Sequence, residues 1–160
     1  TDGAVALLVT SEAACKAHGF EPLGRLVAHA YAGCDPRRMG LGPIHAMAKA
    51  RHMGAPRLEE AEVVELNEAF AAQALAVMDA CASKRFCNEE LKLNEALGEI
   101  PDEILNVNGG AIALGHPVGA TGARLALTSL LELKRRKGKL ALATLCVGGG
   151  QGGALWLERN

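Results

Sequence analysis

Residues 106–124 read NVNGGAIALGHPVGATGAR, and the rest of the chain is interpreted outward from this stretch. It holds five glycines, at positions 109, 110, 115, 119 and 122. Glycine loses more conformational entropy on folding than any other residue, so this density indicates that backbone must approach something closely. His116 stands on a stiff turn because Pro117 follows it, and residues 119–122 open a helical pattern whose N-terminus favours negative charge. The stretch is therefore predicted to form a functional site.

The composition excludes several classes of protein. The 160 residues are 49% hydrophobic, enough for one domain with its own core. A formal net charge of -1 gives no electrostatic footprint for nucleic acid, and no apolar run approaches the ~20 residues of a membrane span. The five cysteines are an odd number without a CxxC pair. They predict a reducing compartment, which is the cytoplasm or an organelle matrix in a eukaryote, and argue against a structural zinc site.

Patterns of apolar and turn residues predict strands that alternate with helices. Short apolar runs predict strands at 4–10, 25–32, 62–66, 139–145 and 154–158. Helical patterns with capping residues fall within 11–19, 43–53, 68–82 and 120–137. This order predicts an α/β layered domain with a mixed, mostly parallel sheet, helices on both faces and a final antiparallel hairpin. Residues 83–105 are more charged and are predicted to be a surface excursion with one weak helix.

Three side chains are candidates for chemistry. Cys146 ends a predicted strand, where α/β proteins commonly place reactive groups, and a thiol with an ordinary pKa of about 8.5 can act as nucleophile, acid or base. Most free cysteines are instead small buried hydrophobes, and a lone histidine such as His116 is often structural, so both alternatives stay open. Asn67 follows a strand directly and could aim its amide at a water or a carbonyl oxygen. From the residues alone, the simpler interpretation is that Asn67 is the N-cap of a helix from Glu68.

One short motif is rejected. Gly148, Gly150 and Gly153 spell the G-x-G-x-x-G pattern of dinucleotide-binding proteins, but only seven residues follow. A dinucleotide site needs a helix after the glycines and an acidic residue about 20 positions further on. The chain has room for neither, so no nucleotide cofactor is predicted.

Three long segments carry a family resemblance. They are NEAFAAQ at 67–73, NVNGGAIALGHPVGATGAR at 106–124 and LCVGGGQGG at 145–153. Together with TDGA at 1–4 and AGCDPRRMGLGP at 32–43, they resemble the C-terminal half of the thiolases. The resemblance covers nearly the whole chain and leaves only 83–105 outside the common core. It implies that residues 1–160 form a thiolase C-terminal domain and that the N-terminal domain is absent from this chain.

The resemblance implies acyl transfer between coenzyme A thioesters, either thiolytic cleavage of a 3-oxoacyl-CoA or the reverse Claisen condensation. Coenzyme A is then a substrate, with no resident cofactor or metal. By the same mapping, His116 activates a nucleophilic cysteine of the N-terminal half, and Cys146 acts as acid and base. Asn67 holds a water that, with His116, receives the thioester oxygen of the second substrate. The backbone N–H of Gly148 belongs to the other oxyanion hole. The implied partners are acyl-CoA, coenzyme A, the N-terminal thiolase domain and further copies of the enzyme, as a dimer or tetramer.

The chain departs from the thiolase pattern because it lacks the nucleophilic cysteine and the serine-containing segment that usually precedes TDGA. None of Cys15, Cys34, Cys81 and Cys87 has the setting of the nucleophilic cysteine, so the chain alone is expected to be inactive. Two alternatives are a non-catalytic acyl-CoA or lipid-binding module on a thiolase scaffold, and another condensing enzyme of the same superfamily. The first would be expected to have lost the chemical residues, and the second would carry a second histidine in place of Cys146.

Overall fold

The computed structural model describes residues 1–160, which form six α-helices and four strands. The helices are α1 (Glu12–His18), α2 (Gly42–His52), α3 (Ala71–Ala82), α4 (Lys84–Leu91), α5 (Ala111–Leu114) and α6 (Val118–Arg136). The strands are β1 (Gly24–Gly33), β2 (Val63–Leu66), β3 (Leu140–Gly148) and β4 (Gln151–Arg159), and two 3₁₀ helices lie at Pro36–Leu41 and Leu58–Glu60. No helix has both the length and the apolar character that crossing a membrane requires.

The four strands form one mixed sheet in the order β1-β4-β3-β2. β2 and β3 are parallel, with Leu66 opposite Thr144, whereas β4 is antiparallel to both β3 and β1. The predicted α/β class and mixed sheet are confirmed, but the expectation that the sheet is mostly parallel is wrong. The reason is that β4 follows β3 after a tight turn and lies between β3 and β1. It is antiparallel to both of these neighbours, so only the β2–β3 pair is parallel.

Helices cover both faces of the sheet, as predicted. Successive residues of a strand point to opposite faces, and β3 shows this directly. Leu142 packs into the main core together with Ile44 of α2 and Trp156 of β4. Its neighbour Ala143 packs on the other face with Leu125 of α6. α2 and α6 therefore sandwich the sheet, and α6 begins two residues after His116.

Residues 4–10 do not form the predicted strand. No backbone hydrogen bond ties them to the sheet, and Leu8 and Val9 are 74% and 88% exposed. A strand is stabilised only by a hydrogen-bonded neighbour, and this apolar run has strand propensity but no partner strand in the chain. The adjoining helix is confirmed, because the Ser11 side chain accepts a hydrogen bond from the Ala14 N–H and Gly19 ends α1 in the left-handed conformation.

Residues 83–105 contribute to the core, so the prediction that they lie on the surface is wrong. The one helix predicted there is present as α4. Four apolar side chains of the segment are buried in the main core, namely Cys87, Leu91, Leu97 and Ile100. These side chains are separated by charged residues in the sequence, which hides their apolar character from a compositional analysis.

Two helix ends differ from the prediction. α3 begins at Ala71 rather than Glu68, and it is buried on one face only, because Leu75 on another face is 61% exposed. α6 ends with Lys137 in the left-handed conformation, rather than with Gly138 there. The Gly138 N–H closes the helix by donating to a carbonyl of the last turn.

Candidate active site

Two asparagines fix the start of the glycine-rich loop. The Asn106 side chain bonds both backbone groups of Leu66, accepting from its N–H at 2.9 Å and donating to its carbonyl at 2.8 Å. Asn108 Nδ2 donates to a carboxylate oxygen of Glu132 in α6 at 3.0 Å. A hydrogen bond from Arg135 is the main cause that lowers the pKa of Glu132 to about 2, so this carboxylate stays ionised. The loop is thereby held to β2 on one side and to α6 on the other.

Glu68 connects this loop to α5. Its Oε1 accepts a hydrogen bond from Asn106 Nδ2 at 2.8 Å, and its Oε2 accepts one from the Ile112 N–H at 3.0 Å. Gly110 lies against the same carboxylate, and a Cβ atom at that position would collide with it. A side chain at 110 would therefore displace the Glu68 carboxylate, although the backbone conformation there is an ordinary one.

The hydrogen bonds of the Thr121 hydroxyl indicate which tautomer of the His116 imidazole is favoured. Its Nδ1 lies 2.7 Å from the hydroxyl oxygen of Thr121, and that hydroxyl donates its single hydrogen to the Pro117 carbonyl at 3.1 Å. Since the Thr121 oxygen must then accept, Nδ1 of His116 carries the proton and Nε2 carries the lone pair. This leaves Nε2 as the nitrogen that can take up a proton.

Asn67 contacts that nitrogen. Its Nδ2 lies 3.4 Å from His116 Nε2, as a donor, and its Oδ1 is buried without a protein hydrogen-bond partner. α3 begins only at Ala71, after Phe70 at the N-cap position, so the simpler interpretation of Asn67 as a helix cap is wrong. The contact joins residues that are 49 positions apart in the chain.

Cys146 lies near the end of β3, just before the turn that leads into β4. It pairs with Gly152 of β4, and the register shifts between Cys146 and Gly148, so one extra residue bulges from the strand there. Gly148, Gly149 and Gly150 then turn the chain with positive φ values of 89°, 63° and 81°, a conformation that favours glycine. Cys146 is half-buried and its thiol is free.

The sheet register places Asn67 and Cys146 at the same edge. Leu66 is opposite Thr144 in the parallel β2–β3 pair, and the Asn67 N–H donates to the Thr144 carbonyl at 3.0 Å. Cys146 follows two residues later, about 7 Å further along the strand. The structure thus brings His116 and Asn67 into contact. It places Cys146 and Gly148 at the carboxyl end of the adjacent strand, β3.

Cys34 is a further residue of this region that the sequence did not indicate. Its backbone N–H donates to the Gly150 carbonyl at 2.7 Å, which holds it beside the β3–β4 turn. Burial is the main cause that raises the pKa of Cys34, nearby Cys146 and Asp35 raise it further, and Arg38 lowers it. The sequence offered no signal that a loop over 100 residues away would carry a second thiol near Cys146.

A buried carboxyl group lies close to the site. Glu65 lies in β2, two residues before Asn67, is fully buried, and has no hydrogen bond to either carboxyl oxygen. Burial raises the pKa of Glu65 to about 7, the positive charge of Arg124 opposes this, and Glu132 and Glu68 add to the rise. The guanidinium nitrogens of Arg124 are also buried without a hydrogen-bond partner.

A groove of about 410 Å³ lies at the start of α6, and His116 does not line it. Residues 1–5 form one wall, and Pro117 with the first turn of α6 forms the other. The unpaired N–H groups of a helix N-terminus favour negative charge, whereas Asp2 in the opposite wall opposes it, and the anionic ligand stays a prediction. No three His, Cys, Asp or Glu side chains are arranged so that they could hold a metal ion.

Comparison with known proteins identifies the family. The profile described as thiolase, C-terminal domain, matches residues 20–159. The chain is 48% identical to an acetyl-CoA acetyltransferase of Shinella zoogloeoides over 157 residues, which cover 98% of this chain and 36% of that protein. It is also 48% identical over 160 residues to the 3-oxoadipyl-CoA/3-oxo-5,6-dehydrosuberyl-CoA thiolase of Escherichia coli strain K12, covering 99% of this chain and 36% of the relative.

Solved structures give the same result. The acetyl-CoA acetyltransferase of Bacillus anthracis superposes with a TM-score of 0.75 at 43% identity, over 94% of this chain and 34% of that one. Human mitochondrial 3-ketoacyl-CoA thiolase gives a TM-score of 0.73 at 43% identity, with the same coverage. The fold is that of a thiolase domain. The chain belongs to the thiolase family and corresponds to its C-terminal domain. It spans about a third of the length of the relatives that it matches, at 36%.

Proposed function

We propose that this chain is the C-terminal part of an enzyme that transfers acyl groups between coenzyme A thioesters. The observation that carries the proposal is the hydrogen-bonded series from Thr121 through His116 to Asn67, which leaves a basic nitrogen beside a buried amide. The names of the relatives, which are acetyl-CoA acetyltransferases and 3-oxoacyl-CoA thiolases, support it.

In the cleavage direction, His116 Nε2 takes the proton from the thiol of a cysteine supplied by the N-terminal half. The resulting thiolate attacks the 3-oxo carbon of the substrate, the bond between C2 and C3 breaks, and the Cys146 thiol gives its proton to C2. After acetyl-CoA leaves, the Cys146 thiolate takes the proton from the thiol of coenzyme A. The coenzyme A sulfur then displaces the enzyme cysteine from the acyl group, and the leaving thiolate recovers its proton from His116.

Negative charge develops on oxygen in both halves of this reaction. When the bond between C2 and C3 breaks, charge moves to the thioester oxygen, which is received by His116 and by a water held on Asn67. When the acyl carbon is attacked, charge moves to its carbonyl oxygen, which faces the backbone N–H of Gly148. One such donor is typically worth about 2.7 to 4 kcal/mol, and each acid or base about 10²- to 10⁴-fold in rate.

The test uses the intact protein that carries this chain, assayed with acetoacetyl-CoA and coenzyme A by the loss of substrate absorbance. His116→Asn and Cys146→Ala should each lower kcat by about 10²-fold or more. Cys15→Ala is the matched control, because no residue of α1 is buried, and it should change kcat less than about twofold. Full turnover by Cys146→Ala would contradict the proposal, as would ordinary turnover by the 160-residue chain alone. An intact protein that binds acyl-CoA but transfers no acyl group would favour the non-catalytic binding module.

Compartment and assembly are part of the same proposal. We place the enzyme in a reducing compartment, the cytoplasm or an organelle matrix, because its five cysteines are an odd number without a CxxC pair. We also propose that it works as a homo-oligomer, as a dimer or tetramer, and that the exposed apolar run at 4–10 makes the isolated chain self-associate. Sedimentation of the isolated chain as a clean monomer at high concentration would contradict the self-association.

A further inference from the structure

Four groups are linked by hydrogen bonds between the end of β2 and the start of α5. They are the Leu66 backbone, the Asn106 amide, the Glu68 carboxylate and the Ile112 N–H. We call this series the Glu68–Asn106 clamp. The clamp uses three of the four hydrogen bonds that the Asn106 side chain can make, and one lone pair on each carboxylate oxygen of Glu68.

The clamp joins the two chain segments that carry Asn67 and His116. Glu68 is the residue after Asn67, and it bonds Ile112 in α5, which is one turn long and ends two residues before His116. Asn106 bonds Leu66, the residue before Asn67. Asn67 is therefore bracketed on both sides by groups that also hold the loop carrying His116.

We propose that Glu68 and Asn106 are positioning residues that set the distance between Asn67 and His116. This inference rests on the proposed function of that pair. The Asn67–His116 contact, at 3.4 Å, is at the long limit of a hydrogen bond, so a small movement of α5 separates the two groups. A displacement of about 1 Å in a site of this kind costs on the order of 10²-fold in rate.

Two substitutions remove hydrogen bonds of the clamp while keeping the size and shape of the side chains. Glu68→Gln keeps one acceptor oxygen and turns an NH₂ group toward the other donor. Asn106→Asp removes the donor to Leu66 and to Glu68, and it sets two carboxylates against each other. In the double variant, the new amide at position 68 donates from its nitrogen to the new carboxylate at position 106, and its oxygen accepts from the Ile112 N–H. Only the Leu66 carbonyl then lacks its partner.

A third substitution moves the clamp without touching its polar groups. Gly110 has an ordinary negative φ of -95°, so alanine is compatible with its backbone. The added methyl group collides with the end of the Glu68 side chain, which must swing away from its two hydrogen-bond partners. Gly110→Ala therefore displaces the carboxylate while leaving the charges of the site unchanged.

Glu62→Gln is the matched control. Glu62 also accepts a hydrogen bond from a backbone N–H, that of Lys139 at 2.7 Å, but it does so at the opposite end of β2. It lies far along the strand from Asn67, so its loss should affect thermal stability and leave kcat within about twofold.

The experiment measures kcat, KM and thermal unfolding of the intact protein, together with the rate at which diethyl pyrocarbonate modifies His116, followed by mass spectrometry. Glu68→Gln, Asn106→Asp and Gly110→Ala should each lower kcat about 10- to 100-fold, with KM changed less than about threefold, and should speed modification of His116 by loosening its contact with Asn67. The double variant should recover at least a third of the kcat lost on a logarithmic scale.

Several results would overturn the inference. A folded Glu68→Gln or Gly110→Ala protein with wild-type kcat and wild-type modification of His116 would do so, as would a folded double variant no better than its single parents. If Asn106→Asp fails to fold, Gly110→Ala still decides the matter. If the wild-type protein transfers no acyl group, the proposed function fails, while the modification rates of His116 still report whether the clamp positions it.

Discussion

Replacing Glu65 by glutamine should change how the stability of the chain depends on pH. Glu65 is a fully buried carboxyl group on β2 without a hydrogen bond, and its pKa is about 7. Glutamine has nearly the same shape and cannot ionise. The substitution therefore removes one titration and leaves the packing between β2 and α6 in place.

The sign of the effect follows from the two pKa values. In the unfolded chain Glu65 ionises near its ordinary value of 4.5, whereas in the folded chain it keeps its proton up to about pH 7. Because the folded pKa is raised, the stability that protonated Glu65 contributes is complete below pH 4.5 and is lost as the pH rises to 7. The loss amounts to about 3 kcal/mol over that interval and no more above it. Glu65→Gln lacks this loss, so the stability of the variant relative to wild type should rise by about 3 kcal/mol between pH 4.5 and pH 8.

Urea unfolding of both proteins at pH 4.5, 5.5, 6.5 and 8 measures this difference, and a ¹³C titration of the Glu65 carboxyl group gives its pKa directly. Arg124→Met is the companion variant: because Arg124 lowers the pKa of Glu65, its removal should move the titration above pH 7. The reasoning is refuted if wild type instead gains stability relative to Glu65→Gln as the pH rises. That result would mean that Arg124 outweighs burial and keeps the carboxylate ionised in the folded protein.

Three further predictions concern the site and the core. Thr121→Val removes the oxygen that accepts from His116 Nδ1 and should lower kcat at least about 10-fold; unchanged kcat and an unchanged pH profile would show that the tautomer is fixed by other means. With iodoacetamide at pH 8, Cys146 should be alkylated before Cys81, which is fully buried and whose pKa burial raises to about 12; equal labelling rates by mass spectrometry would contradict this. Leu125→Ala should cost about 2 to 5 kcal/mol in urea unfolding because it opens a cavity between α6 and the sheet, and a loss under about 1 kcal/mol would mean that the site collapses to fill it.

Local chemistry made much of the fold predictable. Ser11 and Gly19 bracket α1 through capping groups within a few residues of the helix, and the glycines at 148–150 indicate a tight turn. The position of β4 between β3 and β1 was not predictable, because a hairpin signal specifies which strands are joined and not which other strand lies beside them. The apolar run at 4–10 gave a wrong prediction for a related reason, since strand propensity cannot supply the neighbouring strand that a sheet requires.

The residues of the candidate site were likewise only partly predictable from the sequence. His116 and Cys146 stand out in the sequence because glycines surround them, whereas Asn67 looks like an ordinary helix cap until its contact with His116, 49 residues away, is seen. Glu68 was inconspicuous because its partners Asn106 and Ile112 lie about 40 residues further on. Polar contacts over such separations leave no periodic pattern, so the folded structure is needed to find them.

The hydrogen bond between Thr121 and His116 has a consequence for the proposed reaction. In the reaction proposed above, that hydroxyl occupies one ring nitrogen of His116, so every proton that the imidazole gains or gives up passes through the other nitrogen, on the side of Asn67. The ring never has to rotate between accepting a proton and returning it, so no slow reorientation separates the two halves of a catalytic cycle. In that reaction, the hydrogen bond from His116 to Thr121 lets the same imidazole accept and return a proton without changing its orientation.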